Sequence, residues 1–151
     1  MRTLFLMFFF TSTCYAENFE IKVPLADKGL VTYYVQGQID GFGKTEFMVD
    51  TGSGYTTINQ HTLKRLKSSA KAVYVKDLIG TMANGREQIF PVYKITQLDI
   101  GSNCSLEDVE VAILPGQTRN ILGMNVLKLT APFAISTNPP QLYLSKCTSR
   151  V

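Results

Sequence analysis

The sequence predicts an all-β domain with one or two short helices, folded as a sandwich or a partly closed barrel. Runs rich in β-branched and aromatic residues recur along most of the chain, and Gly, Asn and Pro clusters punctuate them at regular spacing. Only two short stretches, near residues 61–67 and 124–129, carry a helical pattern. At 151 residues, 45 % hydrophobic and 18 % charged, the chain is long and apolar enough for one domain with a real core. It contains no internal repeat, linker or low-complexity tract.

Taken in order, residues 19–24 and 30–39 read as strands, and Gly41-Phe42-Gly43 turns the chain into a third at 44–49. Residues 55–58 form a short extended piece. Leu63 and Leu66 stand among polar residues over 61–67, as in one or two helical turns. Strand-like runs at 73–79 and 88–95 flank Gly80-Thr81-Met82-Ala83-Asn84-Gly85. Asn-Gly between such runs signals a hairpin, because both residues tolerate positive φ. Asp99-Ile100-Gly101-Ser102 then turns into residues 106–114, where Val109, Val111 and Ile113 alternate. Ile121-Leu122-Gly123 leads into the second short helix, and runs at 133–136 and 141–145 close a last hairpin across Asn138-Pro139-Pro140.

The first residues, MRTLFLMFFFTSTCYA, stand apart from this pattern. One basic residue, an apolar block at 4–10 and small residues before Ala16 have the layout of a secretory signal cleaved after Ala16. The expected domain is then 17–151, and the protein is exported, to the periplasm or beyond the cell. The alternative is an uncleaved N-terminal membrane anchor, although the block is short for a bilayer span. Past the signal two cysteines remain, Cys104 and Cys147, an even count that points to a disulfide in an exported chain. Such a bond stabilises by roughly 4 kcal/mol in the chain-entropy view; two reduced, buried thiols are the other reading. A net charge of +3, with no basic run interleaved with aromatics, argues against a nucleic-acid partner. The cysteine spacing and the single histidine, His61, offer no metal-ligand set, and no cofactor is expected.

One stretch does not look like ordinary turn chemistry. Residues 45–58 read TEFMVDTGSGYTTI, in which Phe47, Met48 and Val49 deliver Asp50 to the edge of apolar packing. Gly52 allows a close backbone approach beside it, and Thr51 and Ser53 supply hydroxyls. Alone, an Asp-Thr-Gly-Ser turn also suits a loop that the aspartate merely stabilises. Its surroundings favour chemistry.

In those surroundings the chain resembles the retroviral-type (retropepsin-like) aspartic proteases. An apolar strand runs into Asp50-Thr51-Gly52-Ser53, a strand and small helix follow, and a Gly-rich hairpin lies at 79–86. An alternating strand comes next at 106–114, then Ile121-Leu122-Gly123 before a short helix. Thr81-Met-Ala-Asn-Gly-Arg, Leu114-Pro115-Gly116 and Ile121-Leu-Gly-Met-Asn-Val-Leu look particularly like the bacterial exported members. The resemblance covers about residues 30–145 and implies a single-lobe acid-protease barrel acting on extended polypeptides. It makes Asp50 catalytic, with Thr51 gripping its symmetry mate, Gly52 letting two loops approach, Ser53 orienting the carboxylate and Gly123 packed behind. Gly80, Thr81, Met82 and Ala83 would form a flap over the substrate.

Hydrolysis of an amide by carboxyls alone takes two of them, one to accept a proton from water and one to donate a proton to the substrate. The sequence offers one convincing motif. Asp99-Ile100-Gly101-Ser102 copies the spacing, but Ile100 lacks a hydroxyl, and Asp99 reads as the cap of a hairpin turn. The second carboxylate is therefore expected from Asp50 of another copy, in a homodimer. The rival expectation is a catalytically silent exported β domain serving as a binding or assembly module.

Overall fold

The computed structural model describes residues 19–147; the expected signal at 1–16 lies outside them. Ten strands and two short helices follow one another: β1 (Ile21–Asp27), β2 (Tyr33–Ile39), β3 (Gly43–Val49), β4 (Thr57–Asn59), α1 (Gln60–Ser68), β5 (Ala72–Thr81), β6 (Glu87–Ile100), β7 (Cys104–Leu114), β8 (Asn120–Leu122), α2 (Met124–Leu127), a 3-10 turn (Lys128–Thr130), β9 (Phe133–Thr137) and β10 (Pro140–Leu144). The strands pair in the order β5-β6-β7-β4-β8-β3-β2-β1-β10-β9, and an additional β6–β2 pairing closes six of them, β2-β3-β8-β4-β7-β6, into a barrel. Of the two architectures the sequence allowed, the barrel is the one formed.

Closure depends on Gly37 in β2, which pairs with Ile100 of β6. A Cβ at Gly37 would lie 2.9 Å from the Asp99 carbonyl and against the Phe47 ring, so a larger residue would hold the two strands apart. Inside, Val35, Ile39, Phe47, Ile58, Leu98, Leu106, Val111 and Leu122 are buried in one cluster with Leu66 of α1. Helix α1 forms where Leu63 and Leu66 predicted it, and its N-cap is Asn59, whose side chain accepts from the Thr62 N–H at 2.9 Å. His61 is exposed and stands edge-on to Phe42.

Two points differ from expectation, the start of β2 and the place of Asp99. The strand expected from residue 30 starts at Tyr33, because Gly29, Leu30 and Val31 all take positive φ in the turn that joins β1 to β2. That turn is closed by Thr32 N–H donating to the Gly29 carbonyl, and the Asp27 carboxylate accepts from Gly29 N–H. Strand β6 runs unbroken through Pro91, as the expected strand at 88–95 did, but continues on to Ile100. Pro91 pairs with Asp77 on the β5 side, and the β7 ladder begins only at Val92, so no ladder bond is lost there. Asp99 lies within β6, paired with Ser105, and is not a turn cap.

Outside the barrel, β1 switches partners along its length. Its first half pairs with β10 and its second half with β2, so β1, β10 and β9 form a three-stranded annex. The Cys104–Cys147 disulfide, with Cα atoms 5.2 Å apart, fastens the chain beyond β10 to the start of β7.

Candidate active site

Strand β3 is fixed on its far side by β8, which runs parallel to it with Phe47, Met48 and Val49 opposite Asn120, Ile121 and Leu122. The ladder continues one step beyond β3, where Asp50 N–H donates to the Leu122 carbonyl at 3.1 Å. The chain then turns sharply, with Ser53 N–H donating to the Asp50 carbonyl at 3.2 Å. The Asp50 carboxylate, half-buried, accepts from Gly52 N–H at 2.9 Å. Ser53 directs its hydroxyl to the Tyr55 carbonyl at 2.7 Å, so it braces the loop, and the donor that holds the carboxylate is the Gly52 backbone. Thr51 is exposed at the tip. None of the ion pairs among the described residues involves Asp50.

Gly123 lies directly behind this loop. A Cβ there would fall on the Tyr55 carbonyl and 2.8 Å from the Thr56 nitrogen. Its N–H donates to the hydroxyl of Thr56, a fully buried residue, at 3.0 Å. Met124 N–H and Asn125 N–H, at the start of α2, donate to the Ser53 and Gly54 carbonyls at 2.8 and 3.1 Å. The Asn125 side chain uses both ends of its amide: Oδ1 accepts from Thr56 N–H at 2.7 Å, and Nδ2 donates to the Glu110 carbonyl of β7 at 2.8 Å. Sequence reasoning found Gly123 and missed Thr56 and Asn125. The available signal was an amide side chain opening an otherwise apolar helical turn, where propensity alone disfavours it.

Asp50 opens into a cleft of about 540 Å³ beneath the β5–β6 hairpin. Gly52 and Ser53 line it from the loop, and Gly80, Thr81, Met82 and Ala83 line it from the hairpin tip. The expected flap residues and the expected catalytic residue thus share one cavity. The hairpin turn has Met82 N–H donating to Arg86 O, Gly85 N–H donating to Met82 O, and positive φ at Gly85. Asn84 does not take positive φ, contrary to expectation; its side chain accepts from Arg86 N–H at 3.0 Å. The result is a three-residue loop ending in a left-handed glycine. Under the flap, Phe90 and Ala112 belong to a small apolar cluster joined by Tyr55, Leu78 and Leu114. Tyr55 faces the cleft, whereas Ile58 is wholly core. At the outer edge Lys76 meets the Glu110 carboxylate at 2.9 Å, which with the Tyr55 hydroxyl raises the Lys76 pKa above its ordinary value.

A family model described as gag-polyprotein putative aspartyl protease matches residues 35–129, from β2 through the 3-10 turn. The chain belongs to this aspartyl protease family. Among solved structures it is similar to the crystal structure of a retropepsin-like aspartic protease from Rickettsia conorii, with a TM-score of 0.58 and 21 % identity over 82 % of this chain and 89 % of that one. The fold is therefore retropepsin-like. No curated protein matches the sequence.

In this aspartyl protease family member, Asp50 is the sole acid among the described residues that line the cleft. A larger groove, of about 780 Å³, runs along Gln36, Gln38, Lys44, Gln97 and Asp99. It holds neither the turn nor the flap, and Asp99 is engaged there by Gln97 Nε2 at 2.8 Å. The smaller cleft is the candidate site because Asp50, Gly52 and Ser53 of the turn and Gly80 to Ala83 of the hairpin line it together.

Proposed function

We propose that the protein is an exported aspartic endopeptidase that works as a homodimer, each molecule supplying one Asp50. The observation that carries this reading is a solitary carboxylate, in no ion pair among the described residues, held by a backbone N–H in a cleft roofed by a hairpin. Two such turns face to face across a two-fold axis make an isologous site. Their carboxyls share one proton, because two adjacent carboxylates resist joint ionisation. The ionised member takes a proton from water, which attacks the scissile carbonyl. The protonated member gives its proton to the carbonyl oxygen, and proton return to the leaving amine completes cleavage.

The remaining parts take supporting roles. Thr51, exposed at the tip, grips its counterpart in the second molecule, and Gly52 lets the two tips approach. The flap, through Gly80 to Ala83, covers an extended peptide and excludes water during the reaction. Residues 1–16 direct export and are then removed, which leaves a periplasmic or extracellular enzyme; intact mass of the exported chain checks the cleavage.

Activity is tested by exposing a mixed peptide library to the mature protein and to Asp50→Asn across roughly pH 3–7, where a shared proton persists. Cleavage by the first and not the second supports the enzyme. Equal cleavage by both, or none by either at high protein concentration, leaves the silent β module in its place.

A further inference from the structure

Strand pairing carries the floor of the cleft out past its lining. Ala112, Thr57 and Ile121 line the cleft and pair in that order across β7, β4 and β8. The same row continues to Met48 on β3 and Tyr34 on β2. Directly paired residues share a face, so the strip leads from the cleft to the half-buried Met48 and Tyr34. Exposed Arg119, two residues before Ile121, lies over that outer end. Its Nη1 donates to the Tyr34 hydroxyl at 3.4 Å and stands 3.5 Å from Met48 Sδ. The two ends of the strip differ in charge. At the far end, where Val92 carries the row from Ala112 to Lys76, the ammonium is matched by Glu110. Arg119 is in no ion pair among the described residues. Glu46, two residues before Met48, gives one carboxylate oxygen to Lys28 and the other to Gln36 Nε2 at 2.8 Å. Lys28 also stands over the Tyr34 ring, 4.9 Å from its centre, so two cations and one carboxylate gather here.

We infer that Arg119 selects substrates carrying an acidic side chain, Asp or Glu, within two residues of the scissile bond. Met48 precedes Asp50 by two residues, about 7 Å of extended chain. An extended peptide with its scissile bond at Asp50 passes Arg119 within that span. Both contacts of Arg119 are to neutral atoms and use Nη1 alone, which leaves Nη2 and Nε without a partner among the described residues. That edge of the guanidinium fits a carboxylate through two parallel N–H···O bonds. A carboxylate accepts at both oxygens, whereas the isosteric amide turns a donor NH2 toward one arm of the fork. Arg119 holds the peptide and moves no proton. The inference rests on the protease reading above and names the class of peptide that the site prefers.

The test gives the mature chain peptides that differ only in Glu, Gln or Lys at each position within two residues of the bond cut. It is run at about pH 6, where the peptide carboxylate is ionised. At one of these positions the wild type cleaves the Glu form roughly tenfold faster in kcat/KM than the Gln form. The ratio shrinks as ionic strength rises. Neither measurement needs a variant to fold. Arg119→Gln brings the ratio close to one, and Arg119→Glu shifts the preference to the Lys form. Each ratio is taken within one chain, so a smaller folded fraction cancels from it. Equal cleavage of the Glu and Gln forms by the wild type at every such position overturns the inference and leaves Asp50 chemistry intact. So does a Glu preference that survives in Arg119→Gln. If neither the wild type nor Asp50→Asn cuts any peptide, the protease reading falls and the inference with it.

Discussion

Two stretches of this molecule read Asp-x-Gly-Ser, at 50–53 and 99–102, and they do different things. At the first, the aspartate has just left β3, its carboxylate rests on the Gly52 N–H, and a cleft opens in front of it. At the second, the aspartate is still inside β6, its carboxylate accepts from Gln97, and its carbonyl presses on Gly37. What separates them is the support. Strand β8 slots between β3 and β4, and Gly123 and Asn125 grip the 53–56 loop from behind. Behind Asp99 the disulfide at Cys104 and the barrel seam serve only to close the fold. Residue spacing writes a motif, but backbone hydrogen bonds and close packing make it a site.

The contrast predicts a graded set of outcomes. Asp50→Asn lowers kcat/KM by at least about a thousandfold, some 4 kcal/mol of barrier, with little change in melting temperature. Asp99→Asn leaves cleavage near the wild-type rate on the same peptides. Cys147→Ser reverses that pattern: denaturant unfolding shows a loss of up to roughly 4 kcal/mol, while the folded fraction cleaves normally.

Smaller effects fall on the support of the first turn. Gly123→Ala drives a methyl into the Tyr55 carbonyl and costs about 1–3 kcal/mol by overpacking. Asn125→Ala strips the partner from Thr56 N–H and costs about 1–3 kcal/mol. Both depress cleavage more than their stability loss explains, measured as kcat at temperatures where each variant is fully folded.

The smallest effect lies at Asp40, near the barrel seam. Its carboxyl pKa is held below the ordinary 3.8 chiefly by the hydrogen bond from Lys71, and then by Thr96. A lowered carboxyl pKa gives stability that is present above the ordinary value and is lost as pH falls through the folded one. The stability difference between wild type and Lys71→Met should therefore hold above about pH 4 and shrink below it; the pair is exposed, so the difference is slight. Acid titration of the unfolding free energy checks it.

Much of this was legible in the sequence. Period-two alternation and turn residues located most strands, and the Asp50 motif with Ile121-Leu122-Gly123 picked out two stretches that the fold brings together at the candidate site. Leu30 and Val31 misled because two apolar residues, one β-branched, occupy a left-handed turn that propensity disfavours. Strand β8 is three residues long, too short to show a period, so its insertion beside β3 could not be read. Barrel closure through Gly37 and the Asn125 clamp are contacts between residues far apart in the chain; a local pattern can single out Asn125 but does not give its partners Thr56 and Glu110.

The central claim is that a working site takes one Asp50 from each of two molecules, and subunit mixing tests it most directly. A fixed amount of active protein receives an equal amount of Asp50→Asn, at concentrations where dimers form and exchange. Random pairing then leaves about half of the active homodimers, and activity should fall to about half. Activity unchanged by the inactive chain, under conditions where mixed dimers are shown to form, would contradict the claim.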